Sequence, residues 1–122
     1  VDKSAIISPQ AKIGTGCFFG KFSVVNAGAT VHNDCIINTR ALVEHGCEVF
    51  SHVNISTNAV INGDVKVGEG TFVGSCSVTI GQLQIGEWST IGAGAVVTKN
   101  IDSGVTAAGV PARVISKNTM LG

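Results

Sequence analysis

The stretch Ile85-Gly-Glu-Trp-Ser-Thr-Ile91-Gly-Ala-Gly-Ala-Val-Val97 contains two six-residue units, each of which begins with a large aliphatic residue. The same period runs back to Val1, and its phase predicts no insertion between residues 1 and 102. Only Thr79 in this phase is not large and apolar. A period of six fits neither an α-helix nor a simple two-residue alternation. The other positions in phase are Ile7, Ile13, Phe19, Val25, Val31, Ile37, Val43, Val49, Ile55, Ile61, Val67 and Val73.

The period predicts short strands joined by tight corners. Each aliphatic residue points inward, and so does the residue two positions before the next one, because alternate strand residues share a face. That second position is mostly small, and Cys17, Cys35 and Cys47 fall on it as small hydrophobes. Gly often follows the aliphatic residue, as at Gly14 and Gly20, and we expect it to supply the permissive backbone of the corner.

Three such sides close a triangular coil of 18 residues, so the fold predicted is an all-β, three-sided parallel β-helix. We assign residues 1–105 to the β-helix and residues 106–122 to a C-terminal exit and capping segment. Pro111 has no amide donor and is expected to end strand pairing there. One internal column is predicted to contain Val1, Phe19, Ile37, Ile55, Val73 and Ile91.

Composition narrows the classes of function. Lys+Arg and Asp+Glu number 8 each, so the chain has no electrostatic footprint for nucleic acid or an anionic membrane. No apolar run approaches the roughly 18 residues that span a bilayer. The apolar content of 44% therefore predicts a core plus a subunit interface. Because no signal peptide is evident and the cysteines follow the repeat, we expect a cytoplasmic protein with reduced thiols.

The pattern aliphatic–Gly–x–x–small–x resembles the hexapeptide repeat of left-handed β-helix acyltransferases, which are bacterial homotrimers. Two C-terminal segments strengthen the resemblance: Ile91-Gly-Ala-Gly-Ala-Val-Val-Thr-Lys-Asn-Ile101 and Gly109-Val-Pro-Ala-Arg113. The resemblance implies the left hand of the coil and transfer of an acetyl group from acetyl-CoA, bound in a groove between subunits. We expect no metal cofactor, because the three histidines of the chain share no column.

The segment Val43-Glu-His-Gly-Cys47 resembles the histidine-containing coil of the sialic-acid O-acetyltransferase and bacillosamine-pathway N-acetyltransferase group. The resemblance makes His45 the general base that deprotonates an amine or hydroxyl, on a sugar or sugar nucleotide. The group commonly carries an N-terminal α/β domain, and this chain is expected to lack it, either as an excised domain or as a compact enzyme.

The group usually has an acid directly after this histidine, and here the position is Gly46. Glu44, Asp64 or a backbone carbonyl could orient His45 instead. Glu44 is a candidate catalytic residue on this ground. It also shares a column with Asn26 and Asn62, so a purely structural ladder of amides around its carboxylate is an equal alternative.

Residue-by-residue matching to the group implies that Ser75 and Ala93 hold the pantetheine of acetyl-CoA. Gly74 and Gly92 would let the backbone come close, and Lys99 would meet the CoA phosphates.

A second histidine near the thioester is also expected from the resemblance. Ser51-His52-Val53 resembles that stretch, whereas coil register selects Asn54 for the same place. Both are candidate cofactor-binding residues.

Two alternatives come from other classes. One is a non-catalytic trimeric scaffold, which Gly46 in place of an acid favours. The other is a zinc hydratase like the γ-class carbonic anhydrases, which needs three converging ligands. His32, His45 and His52 share no column, which disfavours the hydratase, and His32 is interpreted as a surface residue.

Overall fold

A computed structural model of the chain describes residues 1–118. Its 18 strands form three sheets, one on each side of a solenoid, and all neighbouring strands up to β17 run parallel. Sheet A contains β1 (Ile6–Ile7), β4 (Val24–Val25), β7 (Leu42–Val43), β10 (Val60–Ile61), β13 (Val78–Thr79) and β16 (Val96–Val97). Sheet B contains β2 (Lys12–Ile13), β5 (Thr30–Val31), β8 (Glu48–Val49), β11 (Lys66–Val67) and β14 (Gln84–Ile85). Sheet C contains β3 (Phe18–Phe19), β6 (Ile36–Ile37), β9 (Asn54–Ile55), β12 (Phe72–Val73), β15 (Thr90–Ile91), β17 (Val105–Ala108) and β18 (Arg113–Lys117).

The register between coils confirms the 18-residue period. Ile37 pairs with Phe19 below and Ile55 above, and both isoleucines are fully buried. The second residue of each short strand points into the prism and the first points outward. The chain passes from sheet A to sheet B, then to sheet C and back, through corners that we name AB, BC and CA. No helix in the described chain is long and apolar enough to cross a membrane.

The glycine-rich corners differ from the expectation. The left-handed backbone falls three positions after the aliphatic residue, as at Gly46 with φ 69° and Gly70 with φ 72°. Asp34, Asp64 and His52 adopt the same conformation without being glycine. The glycine directly after the aliphatic residue is therefore not the corner residue that needs positive φ, and the sequence interpretation was wrong on this point.

The glycines that directly follow the aliphatic residue allow neighbouring coils to stack closely. A Cβ added to Gly68 would lie 2.6 Å from the amide N of Glu87, and one added to Gly86 would lie 2.4 Å from the amide N of Ser103. Real Cβ atoms do not approach backbone so closely, so glycine is required here for space rather than for its torsion angles.

The last coil is two residues shorter than the others. Val97 still pairs with Thr79 at a spacing of 18, whereas Ile101 bridges to Ile85 at a spacing of 16. Ile101 thus occupies the aliphatic column of sheet B, not the small slot to which the unbroken phase assigned it. The expectation of an unbroken phase up to residue 102 was wrong because a corner can lose residues without breaking the sheets.

The two ends of the solenoid also depart from the pattern. Val1 is 79% exposed and lies outside any strand at the open end of the solenoid, although the amide N of Asp2 donates to the carbonyl of Phe19 at 3.0 Å in the register of the coils above. At the other end Pro111 lies in the turn between β17 and β18, and pairing resumes antiparallel from Arg113. Pro111 therefore does not end strand pairing, because a residue in a turn needs no ladder donor. Residues 119–122 of the predicted capping segment lie outside the described residues.

Some of the small residues that point into the prism, two positions before the next aliphatic residue, also donate hydrogen bonds. The thiol of Cys35 donates to the carbonyl of Phe50 at 3.0 Å, and that of Cys47 donates to the carbonyl of Asn62 at 3.0 Å. The hydroxyl of Thr71 donates to the carbonyl of Gly86 at 2.6 Å. Each pair joins one coil to a corner of the next, so a short side chain with a donor satisfies a corner carbonyl.

Candidate active site

His45 lies at an AB corner, immediately after β7. Its ring projects away from the prism and lies over Gly63, the residue 18 positions later. A Cβ added to Gly63 would be 2.7 Å from Cε1 and 2.9 Å from Nε2 of His45. Two thirds of the histidine side chain remains exposed. The sequence expectation of small neighbours thus corresponds to a ring that fills the space above a glycine.

Asp64 is the carboxylate that faces His45. Its Oδ2 lies 3.9 Å from Nε2 of the ring, and its amide N donates to the carbonyl of His45 at 3.0 Å. Its Oδ1 occupies the space of a side chain at position 46, because a Cβ added to Gly46 would be 2.1 Å from this oxygen.

Glu44 is turned toward the coil below. Its Oε1 accepts a hydrogen bond from Nδ2 of Asn26. Asn62, the other member of the proposed ladder, donates instead to the carbonyl of Thr79 at 3.0 Å. Glu44 thus has one of the two amide partners that a ladder would give it, and that partner lies away from His45.

Above His45 the same corner column is free of side chains. Gly63 is followed by Gly81, and a Cβ at Gly81 would meet only backbone of Gly63, at 3.1 Å from its carbonyl oxygen and 3.9 Å from its amide N. Lys99 follows Val97 by two positions, as His45 follows Val43, but it lies in the corner that is shortened in the last coil. A lane of bare backbone therefore extends from the imidazole over Gly63 and Gly81, about 10 Å at roughly 4.8 Å per coil.

Sheet A presents an apolar outer surface, which we call face A. Its outward residues are Ile6, Val24, Leu42, Val60, Val78 and Val96. The outward residues of sheet B are Lys12, Thr30, Glu48, Lys66 and Gln84. Face A is therefore more apolar than the outer surface of sheet B. His45 lies along the edge of face A that is formed by the AB corners.

The residues expected to hold pantetheine stand along the other edge of face A, at the CA corners. A Cβ at Gly74 would be 2.6 Å from the carbonyl oxygen of Ile91, and one at Gly92 would be 3.0 Å from Cβ of Ala108. Ser75 and Ala93 follow these glycines at the corner. Within one chain the structure does not bring these residues to His45, since the width of face A separates them.

His52 lies at a BC corner, which does not border face A. Its Nδ1 is 3.9 Å from Oδ2 of Asp34, in the coil below. Asn54 points outward from sheet C, and its buried Oδ1 has no hydrogen-bond partner among the described residues. Of the two alternatives for a second thioester-side residue, Asn54 has a buried polar atom without a partner among residues 1–118.

His32 is held by two neighbours. Its ring stacks on Phe50 with centroids 5.0 Å apart, and Nε2 lies 2.9 Å from Oε2 of Glu48. It is half-buried rather than a free surface residue. No cluster of three or more His, Cys, Asp and Glu side chains able to hold a metal occurs in residues 1–118.

A groove of about 560 Å³ extends across the outer side of sheet B to the BC corners of the last coils. Phe50, Lys66, Gly68, Gln84 and Asp102 are among its lining residues. It borders the shortened last coil, and sequence reasoning missed it because the phase was extended through residue 102. The signal available was Ile101, an aliphatic residue in a slot that is otherwise mostly small.

Two family models match the chain. The bacterial transferase hexapeptide, described as six repeats, matches residues 64–99, and the hexapeptide repeat of succinyl-transferase matches residues 10–39. No curated protein matches the chain.

Solved structures match it over nearly its whole length. The acetyltransferase domain of PglB from Neisseria gonorrhoeae, in complex with acetyl coenzyme A, is 36% identical with a TM-score of 0.92 and is covered over 93% of this chain and 55% of that one. A variant of perosamine N-acetyltransferase from Caulobacter crescentus, in complex with CoA and GDP-perosamine, is 31% identical with a TM-score of 0.94, over 96% of this chain and 56% of that one. The chain thus spans about half the length of these structures. AntD from Bacillus cereus, an N-acyltransferase, is 19% identical at a TM-score of 0.92, which shows the shared fold.

Proposed function

We propose that this chain, which carries the hexapeptide repeats of bacterial transferases, is an acetyl-CoA-dependent acyltransferase domain acting on the amine or hydroxyl of a sugar nucleotide. The observation that carries the proposal is the position of His45: an exposed imidazole at the edge of an apolar face, where a lane of bare backbone over Gly63 and Gly81 begins. The PglB and perosamine N-acetyltransferase structures, with acetyl-CoA or CoA and GDP-perosamine bound, support the donor and the acceptor class.

The active form we propose is a homotrimer whose subunits meet through face A. Partly exposed valines and leucine in an unbroken column cost solvation energy on an isolated prism. Packing them against a neighbour in closed threefold symmetry removes that cost. Because His45 and the Gly74–Ser75 corner stand on opposite edges of face A, such packing would bring the His45 edge of one subunit against the CA edge of the next.

The donor fits the groove that this packing creates. Gly63 and Gly81 offer backbone without side chains on one wall, and Gly92 and Ala93 offer a small-residue corner on the other. Lys99, in the shortened corner of the last coil, provides a positive charge for the phosphates.

In this arrangement acetyl-CoA supplies an acetyl group activated as a thioester. The imidazole of His45 accepts the proton of the amine or hydroxyl that forms the new bond, and such a base contributes roughly 10²–10⁴-fold to the rate. Holding donor and acceptor in one groove supplies the orientation. We place the enzyme in the cytoplasm, where its four free cysteines remain reduced.

The test is acetyl-CoA turnover by the purified chain against a panel of amino sugars, sialic acid and sugar nucleotides, including GDP-perosamine. Acetylated product with at least one nucleotide-linked sugar is expected. If no member of the panel is acetylated, a thermal-shift titration with acetyl-CoA decides the alternative. Absence of stabilisation at high acetyl-CoA concentration would favour a non-catalytic scaffold.

A further inference from the structure

We propose that Asp64 is the positioning residue of His45, taking from the adjacent coil the role of an acid that would otherwise follow the histidine in sequence. The proposal rests on the proposed function and identifies a residue that the reaction would need. Its basis is the arrangement of His45, Gly46, Gly63 and Asp64 where two coils stack.

Asp64 approaches His45 through both its backbone and its carboxylate. Its backbone N–H donates to the carbonyl of His45 at 3.0 Å, which fixes the distance between the two residues irrespective of their side chains. Its carboxylate then extends alongside the ring, with Oδ2 at 3.9 Å from Nε2. At this distance the carboxylate is not hydrogen-bonded to the ring, and it acts through its negative charge, which stabilises the cation that forms when the imidazole takes a proton.

Gly46 makes room for this carboxylate. A Cβ at position 46 would be 2.1 Å from Oδ1 of Asp64, so any side chain there displaces Asp64 from its present place. Gly63 makes room for the ring in the same way. An acid at position 46 and Asp64 in its present position are thus mutually exclusive, which explains how a histidine followed by glycine can still have an acidic partner.

Other acids in the structure do not compete for this role. Glu44 accepts a hydrogen bond from Asn26 in the coil below. Asp34 stands 3.9 Å from His52 at another corner. Among the ion pairs of the described chain, Asp64 has His45 as its sole partner.

A double-mutant cycle on the full chain tests the proposal. Asp64→Gly is expected to lower kcat at least ~10-fold with little change in KM for acetyl-CoA, because orientation of the base acts on the transition state. Gly46→Asp alone is expected to lower kcat less than Asp64→Gly does, since the carboxylate at position 46 takes over the role of the displaced Asp64. The double variant Gly46→Asp/Asp64→Gly moves the carboxylate next to His45 in sequence and is expected to recover most of the lost kcat. Additive losses in the double variant would overturn the proposal.

A second measurement separates this inference from the proposed function. The order parameter of the His45 ring, measured by NMR relaxation, is expected to fall in Asp64→Gly and to stay unchanged in the matched control Asp34→Gly. If the parent chain acetylates no acceptor, this measurement still decides whether Asp64 holds His45. Ring order that is equal in parent and Asp64→Gly would overturn the proposal even in an active enzyme.

Discussion

The imidazole of His45 lies across Gly63, so close that a Cβ at position 63 would stand 2.7 Å from Cε1 of the ring. The two residues are 18 positions apart and meet because each coil takes 18 residues. Gly63 thereby leaves space for the ring and is also the first residue of the lane of bare backbone above it. Any account of the chemistry of this corner therefore involves both coils.

His45→Ala should lower kcat for acetyl transfer by at least ~100-fold and leave the affinity for acetyl-CoA almost unchanged, since a general base acts in the transition state. Steady-state kinetics and a binding titration on the purified protein measure both quantities. The control is His32→Ala, because His32 is stacked on Phe50 and stands apart from the lane. Transfer at the parental rate by His45→Ala would refute the role of this residue.

Val60→Lys should disrupt assembly without unfolding the chain, because Val60 points outward from the middle of face A. Light scattering should give three times the 12.4 kDa chain mass for the parent and a lower mass for the variant. The matched substitution Thr30→Lys on sheet B should leave the mass unchanged. A parent that is monomeric at working concentration would contradict the trimer and weaken the active site built on it.

Thr71→Val and Thr79→Val should have opposite effects on the free energy of unfolding. Both threonines are fully buried, but the hydroxyl of Thr71 bonds Gly86 and Ser89, whereas that of Thr79 has no partner in the described chain. Thr71→Val should cost about 1–3 kcal/mol by leaving its partners unsatisfied, and Thr79→Val should be neutral or stabilising. Denaturant unfolding measures the difference, and equal losses would contradict the assigned hydrogen bonds.

Ile55→Asp should prevent folding, because Ile55 is fully buried in the middle of an internal column and the substitution buries an unpaired charge. Lys117→Glu should change stability little, since Lys117 is exposed in β18. Circular dichroism and thermal melting of both variants make the comparison. Similar melting temperatures would mean that the columns are wrongly phased.

Stability should fall as the pH rises from about 9 to about 11. Burial raises the pKa of the Cys35 thiol from 9.0 to about 11, and burial also raises the pKa of Cys47. As the pH rises, the unfolded chain loses these protons before the folded chain does. The contribution of Cys35 to the free energy of unfolding is therefore fully present below pH 9, and roughly 2 kcal/mol of it is lost between pH 9 and pH 11. Denaturant unfolding at several pH values should show a shallower decline for Cys35→Ala, and equal slopes would contradict the assignment.

Much of the fold follows from the spacing of aliphatic residues. Ile37 and Ile55 were assigned to one column from their separation alone, and they pair in the structure as neighbours. The shortened last coil could not be predicted in this way. Val97 and Ile101 are both aliphatic, so the sequence pattern is compatible with a last coil of either 16 or 18 residues. Only the bridge between Ile101 and Ile85 distinguishes the two phases.

The candidate site was predictable in part. Spacing identified Gly63 as the neighbour of His45 and included Asp64 among the acids that could orient it. The choice between Glu44 and Asp64 depends on side-chain direction, which a register does not contain. The hydrogen bond from Asn26 turns Glu44 away, and the empty Cβ position of Gly46 admits Asp64.

The sequence by itself determined the three-sided coil, the internal columns and the corner on which His45 stands, because a strict period repeats one backbone conformation and stacks equal positions. Only the tertiary structure decided which polar groups at that corner meet, where the last coil shortens, and that the apolar face A separates His45 from the Gly74–Ser75 edge within one chain. The physical reason is that periodicity fixes which residues are neighbours along a column, whereas steric room and competing hydrogen bonds fix which of those neighbours come into contact.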